Sequence, residues 1–558
     1  MKVIIVGGVA GGATAAARIR RLDEHAEITV FERSGYISYA NCGLPYYIGD
    51  VITDPEELTL QTPESFFKRF RINMKIHHEV ISIHPERKTV SVKNLENGEI
   101  FEENYDKLIL SPGAKPTQPR LPGVGMDKLF TLRTVEDTFR IKEYINKNHP
   151  KSAVLAGGGF IGLELAENLR ELGMDVTIVQ RPKQLMNPFD PDMASMIHNE
   201  MRKHGIKLVL GYTVEGFKEK DNGVEVLLKD NPSLQADMVV LAIGVTPDTA
   251  LAKEAGLELG IKGSIVVNDR METSVPDIYA AGDAVQVKHY VTGDDALISL
   301  AGPANKQGRI IADNICGGDS RYLGSQGSSV IKVFDMTAAT TGINETNAKK
   351  SGLDVDTVIL SPMSHAGYYP GGKVMTMKVV FEKETYRLLG AQIIGYEGVD
   401  KRIDVLATAI HAGLKATQLK DLDLAYAPPY SSAKDPVNMA GFMIDNIAKG
   451  TLKQWHLEDM DKISKDKSVV LLDVRTVGEF NRGHMDGFRN IPVDELRERI
   501  NEIEKGKPVY LICQSGLRSY IASRILEGNG YETYNFSGGF RFYDAVVNDR
   551  ALIERAYA

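Results

Sequence analysis

The sequence predicts an α/β protein of several domains, and three observations carry that expectation. Residues 2–32 and 152–180 share one grammar of short apolar strand, glycine turn, alanine-containing helix and second apolar strand, the pattern of a βαβ unit on a parallel sheet. From about residue 327 to 449 the pattern changes to long apolar strands, 378–381 and 388–395, followed by helical periodicity over 402–412, which predicts a separate α+β unit. A polar connector, Lys449-Gly450-Thr451-Leu452-Lys453-Gln454, then leads to a last segment with its own strand–helix alternation, its clearest strands at 468–474 and 507–513.

A chain of 558 residues exceeds one hydrophobic core. With 43% hydrophobic and 25% charged residues, disordered and collagenous classes drop out. The net charge of −8, from 66 basic against 74 acidic residues, gives no global basic field, so no nucleic-acid partner is expected. Cys42, Cys316 and Cys513 are an odd, scattered set with no CxxC pair, which excludes a disulfide framework and a cysteine zinc site. No metal is expected, and a reducing cytoplasm is the expected setting. The apolar run after Met1-Lys2 turns into Gly7-Gly8 too soon for a signal peptide, and no run is long enough for a membrane span.

The first turn, Gly7-Gly8-Val9-Ala10-Gly11-Gly12, follows a strand and opens a helix, where backbone N–H groups and the helix dipole suit a pyrophosphate. Val9 stands at the usual middle glycine, and Glu32, about 25 residues on, supplies the carboxylate for ribose hydroxyls. The second turn, Gly157-Gly158-Gly159-Phe160-Ile161-Gly162, matches in full, and Ala166 lets its helix pack closely on the sheet. Its acidic position is Gln180, followed by Arg181, a pair that does not repel a 2′-phosphate, so both NADH and NADPH are expected to serve. The stretches between these units alternate short strands with turns such as Glu96-Asn97-Gly98 and Asp221-Asn222-Gly223. Ser111-Pro112-Gly113-Ala114 and the run Thr273 to Gly282-Asp283 complete four ordered motifs.

Together the four resemble the flavoprotein disulfide reductase superfamily over residues 1 to about 445. The resemblance implies FAD held by the first turn, Glu32, Arg33, Asn41, Val80, Ser111, Pro112, Gly113, Arg133, Gly282, Asp283 and Ala301, with NAD(P)H held by the second turn, Gln180, Arg181 and Gly244.

Cys42, in Ser38-Tyr39-Ala40-Asn41-Cys42-Gly43-Leu44-Pro45-Tyr46-Tyr47, lies just beyond Glu32 and near a helix start expected to lower its pKa. Tyr47 stands where glutathione-reductase-like enzymes carry a second cysteine, so Cys42 either forms a sulfenic acid or pairs with an external thiol. Peroxide- and oxygen-reducing relatives carry a histidine where this chain has Ala10. The segment instead resembles the coenzyme A disulfide reductases, including Arg18 and Arg21, three apart on one helix face as ADP phosphates require. That resemblance assigns Ser38, Asn41, Asn305 and Lys434 to coenzyme A, and Tyr368 and Tyr426 as tyrosines lent to the active site by a partner subunit in a homodimer. Phenol hydroxyls there could stabilise or protonate the departing thiolate.

The motifs Leu471-Leu472-Asp473-Val474-Arg475, Gly483 to Pro492, and Cys513-Gln514-Ser515-Gly516-Leu517-Arg518-Ser519 resemble a rhodanese domain. A cysteine at a strand end opening a loop of N–H groups suits a thiolate or persulfide, and four residues between Cys513 and Arg518, one fewer than in dual-specificity phosphatases, favour sulfur over phosphate. The expected fold class is therefore α/β with two nested Rossmann-like dinucleotide folds, an α+β dimerisation domain and an α/β rhodanese domain. The expected boundaries are 1–115 and 246–325 for the FAD domain, 116–245 for the NAD(P)H domain, 326–449 for dimerisation, 450–456 as linker and 457–558 for the rhodanese domain.

The function these motifs imply is an FAD-dependent NAD(P)H:disulfide or persulfide reductase. Its substrates would be coenzyme A disulfide, coenzyme A persulfide or polysulfide, reduced through a Cys42–coenzyme A mixed disulfide, while Cys513 handles sulfane sulfur. The rival readings are a peroxidase or oxidase cycling a Cys42 sulfenate, and a redox sensor. Cys316, at an apparent helix end, takes no functional role.

Overall fold

The computed structural model describes residues 1–220 and 223–555. The chain separates into two compact units, Met1–Lys183 with Gly205–Gly327, and Gln184–His204 with Ser328 onward.

The first unit holds two parallel five-stranded sheets of the same design. One runs in the order Ile278–Ala280, Lys107–Leu110, Lys2–Val6, Glu27–Phe31, Asn73–Lys75. The other runs Leu129–Thr131, Met238–Leu241, Ser152–Ala156, Asp175–Gln180, Lys207–Leu210. In each, the first strand of the βαβ unit is central, and its residues, such as Val3, Ile4 and Ile5, are fully buried. That burial on both faces explains the continuous apolar runs in the sequence. Each fold also carries a three-stranded antiparallel meander, His78–His84 with Thr89–Asn94 and Ile100–Asn104, and Val214–Lys220 with Gly223–Leu228 and Asn231–Ala236. Nesting is literal: Ile278–Ala280 joins the first sheet only after the second sheet is complete. Gly98 turns the first meander at φ +78°. Of the turn expected at 221–223, Asp221 and Asn222 lie outside the described residues, while Lys220 pairs with Gly223.

The second unit contains an antiparallel sheet in the order Ser329–Val333, Met336–Gly342, Leu388–Gly395, Thr376–Glu382, Val355–Leu360. Leu388–Gly395 is buried along its whole length, with the helix Val399–His411 packed on the sheet. Residues 184–204, which the sequence places with the second dinucleotide fold, belong here instead. The reason is ionic. Lys378, 1% exposed, sits among Asp190 at 3.2 Å, Asp192 at 2.8 Å and Glu345 at 2.7 Å, and a buried ammonium is stable only with such partners. Further along the helix Pro191–Lys203, His198 Nδ1 lies 2.8 Å from Asp549.

The last sheet is parallel, in the order Gln454–Trp455, Thr533–Phe536, Val509–Ile512, Val470–Asp473, Arg489–Asn490. Residues 454 and 455, expected in the linker, form its edge. Trp455 is buried against Phe536, ring centroids 4.5 Å apart, and its indole N–H donates to Leu511 O at 3.3 Å.

Candidate active site

The two glycine turns superimpose in their contacts as well as their sequence. Gly7 (φ +97°) and Gly157 (φ +120°) each pass so close to the neighbouring strand end that a Cβ would fall 2.1 Å from Ser111 O and Ala242 O respectively. A Cβ at Gly12 or Gly162 would fall 1.9 or 2.2 Å from the preceding turn's Gly7 O or Gly157 O. The middle position is different. Val9 has φ −105° and Gly159 φ −90° with open space around its Cβ position, so neither turn requires glycine there and Val9 leaves the cradle intact. Helices begin at Ala10 and Phe160 directly after, aiming their free N–H groups into the turn.

Glu32, 9% exposed, accepts from Gly8 N–H and Ser34 N–H, both at 2.9 Å, leaving a lone pair on each oxygen for a ribose hydroxyl. Gln180 repeats this contact, its Oε1 accepting from Gly158 N–H at 3.1 Å, which turns its amide donors to the ligand side. Around the first turn the expected groups converge. A Cβ at Gly11 would meet Ser111 Oγ and Ala281 Cβ, and one at Gly282 would meet Ser111 Oγ. Arg133 pairs with Asp283 at 2.7 Å, Arg33 with Asp248 at 2.8 Å, and Val80 is buried in the adjoining core. Gly113 and Gly244, at φ +71° and +106°, end the corresponding loops, Pro112 precedes the first, and Ala301 opens the helix Ala301–Ile315. These residues fit a flavin dinucleotide at the first turn and a nicotinamide dinucleotide at the second; Arg181 is exposed beside it.

Cys42 is a free, exposed thiol on the short turn Asn41–Gly43, ahead of the five-residue helix Leu44–Ile48. Its segment is tied to the cradle by Ser38 N–H donating to Gly8 O at 2.9 Å, and by the Tyr39 hydroxyl donating to Arg133 O at 3.4 Å. The expected lowering of its pKa is overturned. Partial burial of the sulfur pushes the thiol up, the Glu164 carboxylate adds to this, and Arg133 opposes it; a helix of five residues is too short to reverse the balance. Glu164, on the helix Phe160–Glu171, is itself pushed up to about 7 by burial and by Glu167. Its one signal in the sequence is a carboxylate inside the apolar run Phe160 to Leu165, a signal no motif includes. Tyr47, at the place of a second cysteine, packs edge-on against Phe139 at 5.7 Å.

Of the coenzyme A candidates, Arg18 is engaged: its Nε donates to Asp313 at 2.8 Å. Arg21 is exposed, and Asn305 Oδ1 accepts from the Thr14 hydroxyl at 2.8 Å on the facing helix. Lys434 is exposed and belongs to the other compact unit, as do Tyr368 and Tyr426. Those two tyrosines lie on separate loops, 75% and 45% exposed, with their hydroxyls 2.6 Å apart. Buried Arg402 pins both loops, donating to Ser364 O at 2.9 Å, Tyr430 O at 3.3 Å and Asp435 Oδ2 at 3.0 Å.

Cys513 is fully buried at the end of Val509–Ile512. Its Sγ accepts from Gly516 N–H at 3.1 Å and from the Ser519 hydroxyl at 3.2 Å. Gly516, at φ +95°, caps the helix Leu517–Glu527. Gly539 lies under the loop: a Cβ there would fall 2.6 Å from Ser515 N and 2.7 Å from Gln514 O. Ser519, which closes the Cys513 motif, is therefore part of the sulfur site. Arg518 is drawn to Glu479.

A flavin cradle, a nicotinamide cradle and a lone thiol define a nicotinamide-dependent flavoprotein acting on sulfur. The chain belongs to the pyridine nucleotide-disulphide oxidoreductase family, whose model matches residues 1–308; the dimerisation domain of that family matches 328–436 and the rhodanese-like domain 456–545. It is 39% identical over 443 residues to a coenzyme A disulfide reductase of Staphylococcus aureus, covering 79% of this chain and 99% of that one. Among solved structures it resembles the reduced CoADR-RHD of Bacillus anthracis (TM-score 0.96, 48% identity, 98% of each chain). It also resembles a NAD-dependent persulfide reductase from A. fulgidus (TM-score 0.91, 39% identity, 97% of this chain and all of that one). The chain is an oxidoreductase that uses FAD and NAD(P)H. Among the described residues no helix is long and apolar enough to cross a membrane.

Proposed function

We propose that this enzyme reduces coenzyme A disulfide and coenzyme A persulfide or polysulfide with NAD(P)H, through a mixed disulfide between Cys42 and coenzyme A, and that Cys513 accepts sulfane sulfur. The observation that carries this reading is the lone, exposed Cys42 tethered to the flavin cradle, with Tyr47 packed on Phe139 where a resolving thiol would stand. FAD, when bound, supplies the relay of two electrons from NAD(P)H to the mixed disulfide. Reduction cleaves it to a Cys42 thiolate and free coenzyme A thiolate. The Cys42 thiolate then attacks the coenzyme A sulfur of the next substrate, forming a new Cys42–coenzyme A bond and releasing coenzyme A thiolate from the disulfide or hydrosulfide from the persulfide. Arg21 meets the phosphates of coenzyme A, Ser38, Asn41, Asn305 and Lys434 touch the coenzyme, and Arg18 offers its terminal N–H groups to the phosphates while Asp313 holds its Nε.

Tyr368 and Tyr426 protonate or steady the leaving thiolate, reaching it from the second subunit of a homodimer. Four exposed tyrosines support this, Tyr368, Tyr369, Tyr426 and Tyr430, a surface of the kind that assembly covers. The setting is a reducing cytoplasm. The test is anaerobic NADH oxidation with coenzyme A disulfide and with coenzyme A persulfide. Turnover with both is expected, and its loss in Cys42→Ser. NADH oxidation matched to oxygen or peroxide consumption, with no thiol substrate present, would instead establish the sulfenate cycle.

A further inference from the structure

The loop around Cys513 binds its sulfur through two neutral donors, the Gly516 N–H and the Ser519 hydroxyl, while its own guanidinium, Arg518, is matched by a carboxylate. Two guanidinium groups approach it, and each is matched by a carboxylate. Arg475, 1% exposed, donates to Asp473 from Nε at 2.9 Å and from Nη2 at 2.7 Å, with a longer reach of 3.5 Å to Gln514 Oε1. Arg518, the loop's own cation, feels the charge of Cys513 but forks onto Glu479, Nη1 to Oε2 and Nη2 to Oε1, both at 2.7 Å. Glu479 is fixed from a second side, because its Oε2 accepts from Thr476 N–H and hydroxyl at 3.0 and 2.9 Å at the start of the helix Val477–Arg482. Arg518 holds that carboxyl down to about 2, so it stays charged at physiological pH. Exposed apolar side chains lie on the same elements, Leu517 and Ile521 one turn apart and Val477 beside Glu479, 66%, 42% and 53% exposed. Arg541, whose backbone N–H donates to Gln514 O at 3.2 Å, is exposed.

Such a site stabilises a single negative charge on Sγ through the Gly516 N–H and Ser519 hydroxyl, and its loop guanidinium, Arg518, is not free to meet a dianion arriving from outside. We infer that Glu479 is a specificity-determining residue: by occupying Arg518 it selects sulfane-sulfur donors with an uncharged organic arm, persulfides of the pantetheine type, over dianionic thiosulfate. This rests on the reading of Cys513 as the sulfur acceptor. In the selected reaction the Cys513 thiolate attacks the outer sulfur of R–S–SH. A Cys513–sulfur bond forms, the S–S bond of R–S–SH breaks, the proton stays on the transferred sulfur, and the arm leaves as R–S⁻, with no net oxidation. With thiosulfate the leaving group is sulfite.

The experiment loads the full FAD-containing chain with pantetheine persulfide or thiosulfate in single turnover and reads the gain of one sulfur atom on the Cys513 peptide by mass spectrometry, with Cys513→Ser as blank. Wild type is expected to load from the persulfide at least about tenfold faster, and Glu479→Gln, which keeps an acceptor for Thr476, to raise thiosulfate loading about tenfold and narrow the ratio. Equal loading from both donors in wild type, or an unchanged ratio in a folded Glu479→Gln enzyme, overturns the assignment. If a thermal melt shows that variant unfolded, Leu517→Lys at the exposed rim supplies an unpaired cation, and the same rise is expected; no rise overturns the assignment. Loading from neither donor in wild type defeats the sulfur-acceptor reading itself, and the inference with it.

Discussion

Cys42 and Cys513 occupy opposite environments. Cys42 is exposed, on a three-residue turn, with its thiol pushed up by partial burial of the sulfur and by Glu164. Cys513 is fully buried, yet its sulfur receives a backbone N–H and a hydroxyl fixed by its own loop. Exposure alone thus does not mark the prepared nucleophile. The buried site carries its anion-stabilising donors permanently, whereas Cys42, on the function proposed above, depends on groups brought to it, the substrate's arm, the flavin and tyrosines of a second subunit. A site that exchanges electrons with a moving substrate gains from such dependence, because its thiolate is favoured only when the reacting groups are assembled.

The comparison breaks most sharply at the cysteines. Cys42→Ser is expected to lower NADH-dependent coenzyme A disulfide reduction by about a thousandfold or more while sulfur loading at Cys513 persists, and Cys513→Ser to give the converse. Loss of both activities from either change would end the division of labour. Next in size is Ser519→Ala, which removes one of two donors to Sγ and should slow sulfur loading about tenfold, with disulfide reduction unaltered. Tyr426→Phe removes one member of the 2.6 Å hydroxyl pair and should lower disulfide turnover by several-fold to about tenfold; an unchanged kcat would remove the tyrosines from the mechanism.

The smallest effect sharpens the electrostatics. Glu164 is neutral well below pH 7 and negative above it, so its upward push on Cys42 grows as pH rises through about 7. In Glu164→Gln that push disappears, and the pH dependence of Cys42 alkylation should move to lower pH. A shift to higher pH, or none, would show that Glu164 does not act on this thiol.

Much of this was legible in the sequence because it rests on contiguous residues. Both glycine turns, the strand leading into Cys513 and the α+β sheet emerged where periodicity and turn chemistry placed them, and Val9 proved compatible because that position never enters the left-handed region. What escaped depends on partners far apart in sequence. Residues 184–204 join the second unit through Lys378, Glu345 and Asp549, none of which any local pattern connects to them. The direction of the Cys42 shift follows first from partial burial of its sulfur and then from Glu164, contributed by the other dinucleotide fold. Arg518 was visible in its motif, but Glu479, 39 residues earlier, was not.

The central claim is that one thiol takes electrons through coenzyme A while the other carries sulfur. Peptide-resolved mass spectrometry of the enzyme as purified, before and after anaerobic NADH, tests it most directly. The account predicts an adduct of coenzyme A mass on the Cys42 peptide that NADH removes, with none on Cys513. Coenzyme A on Cys513, or a Cys42 found only as sulfenic or sulfinic acid, would contradict it.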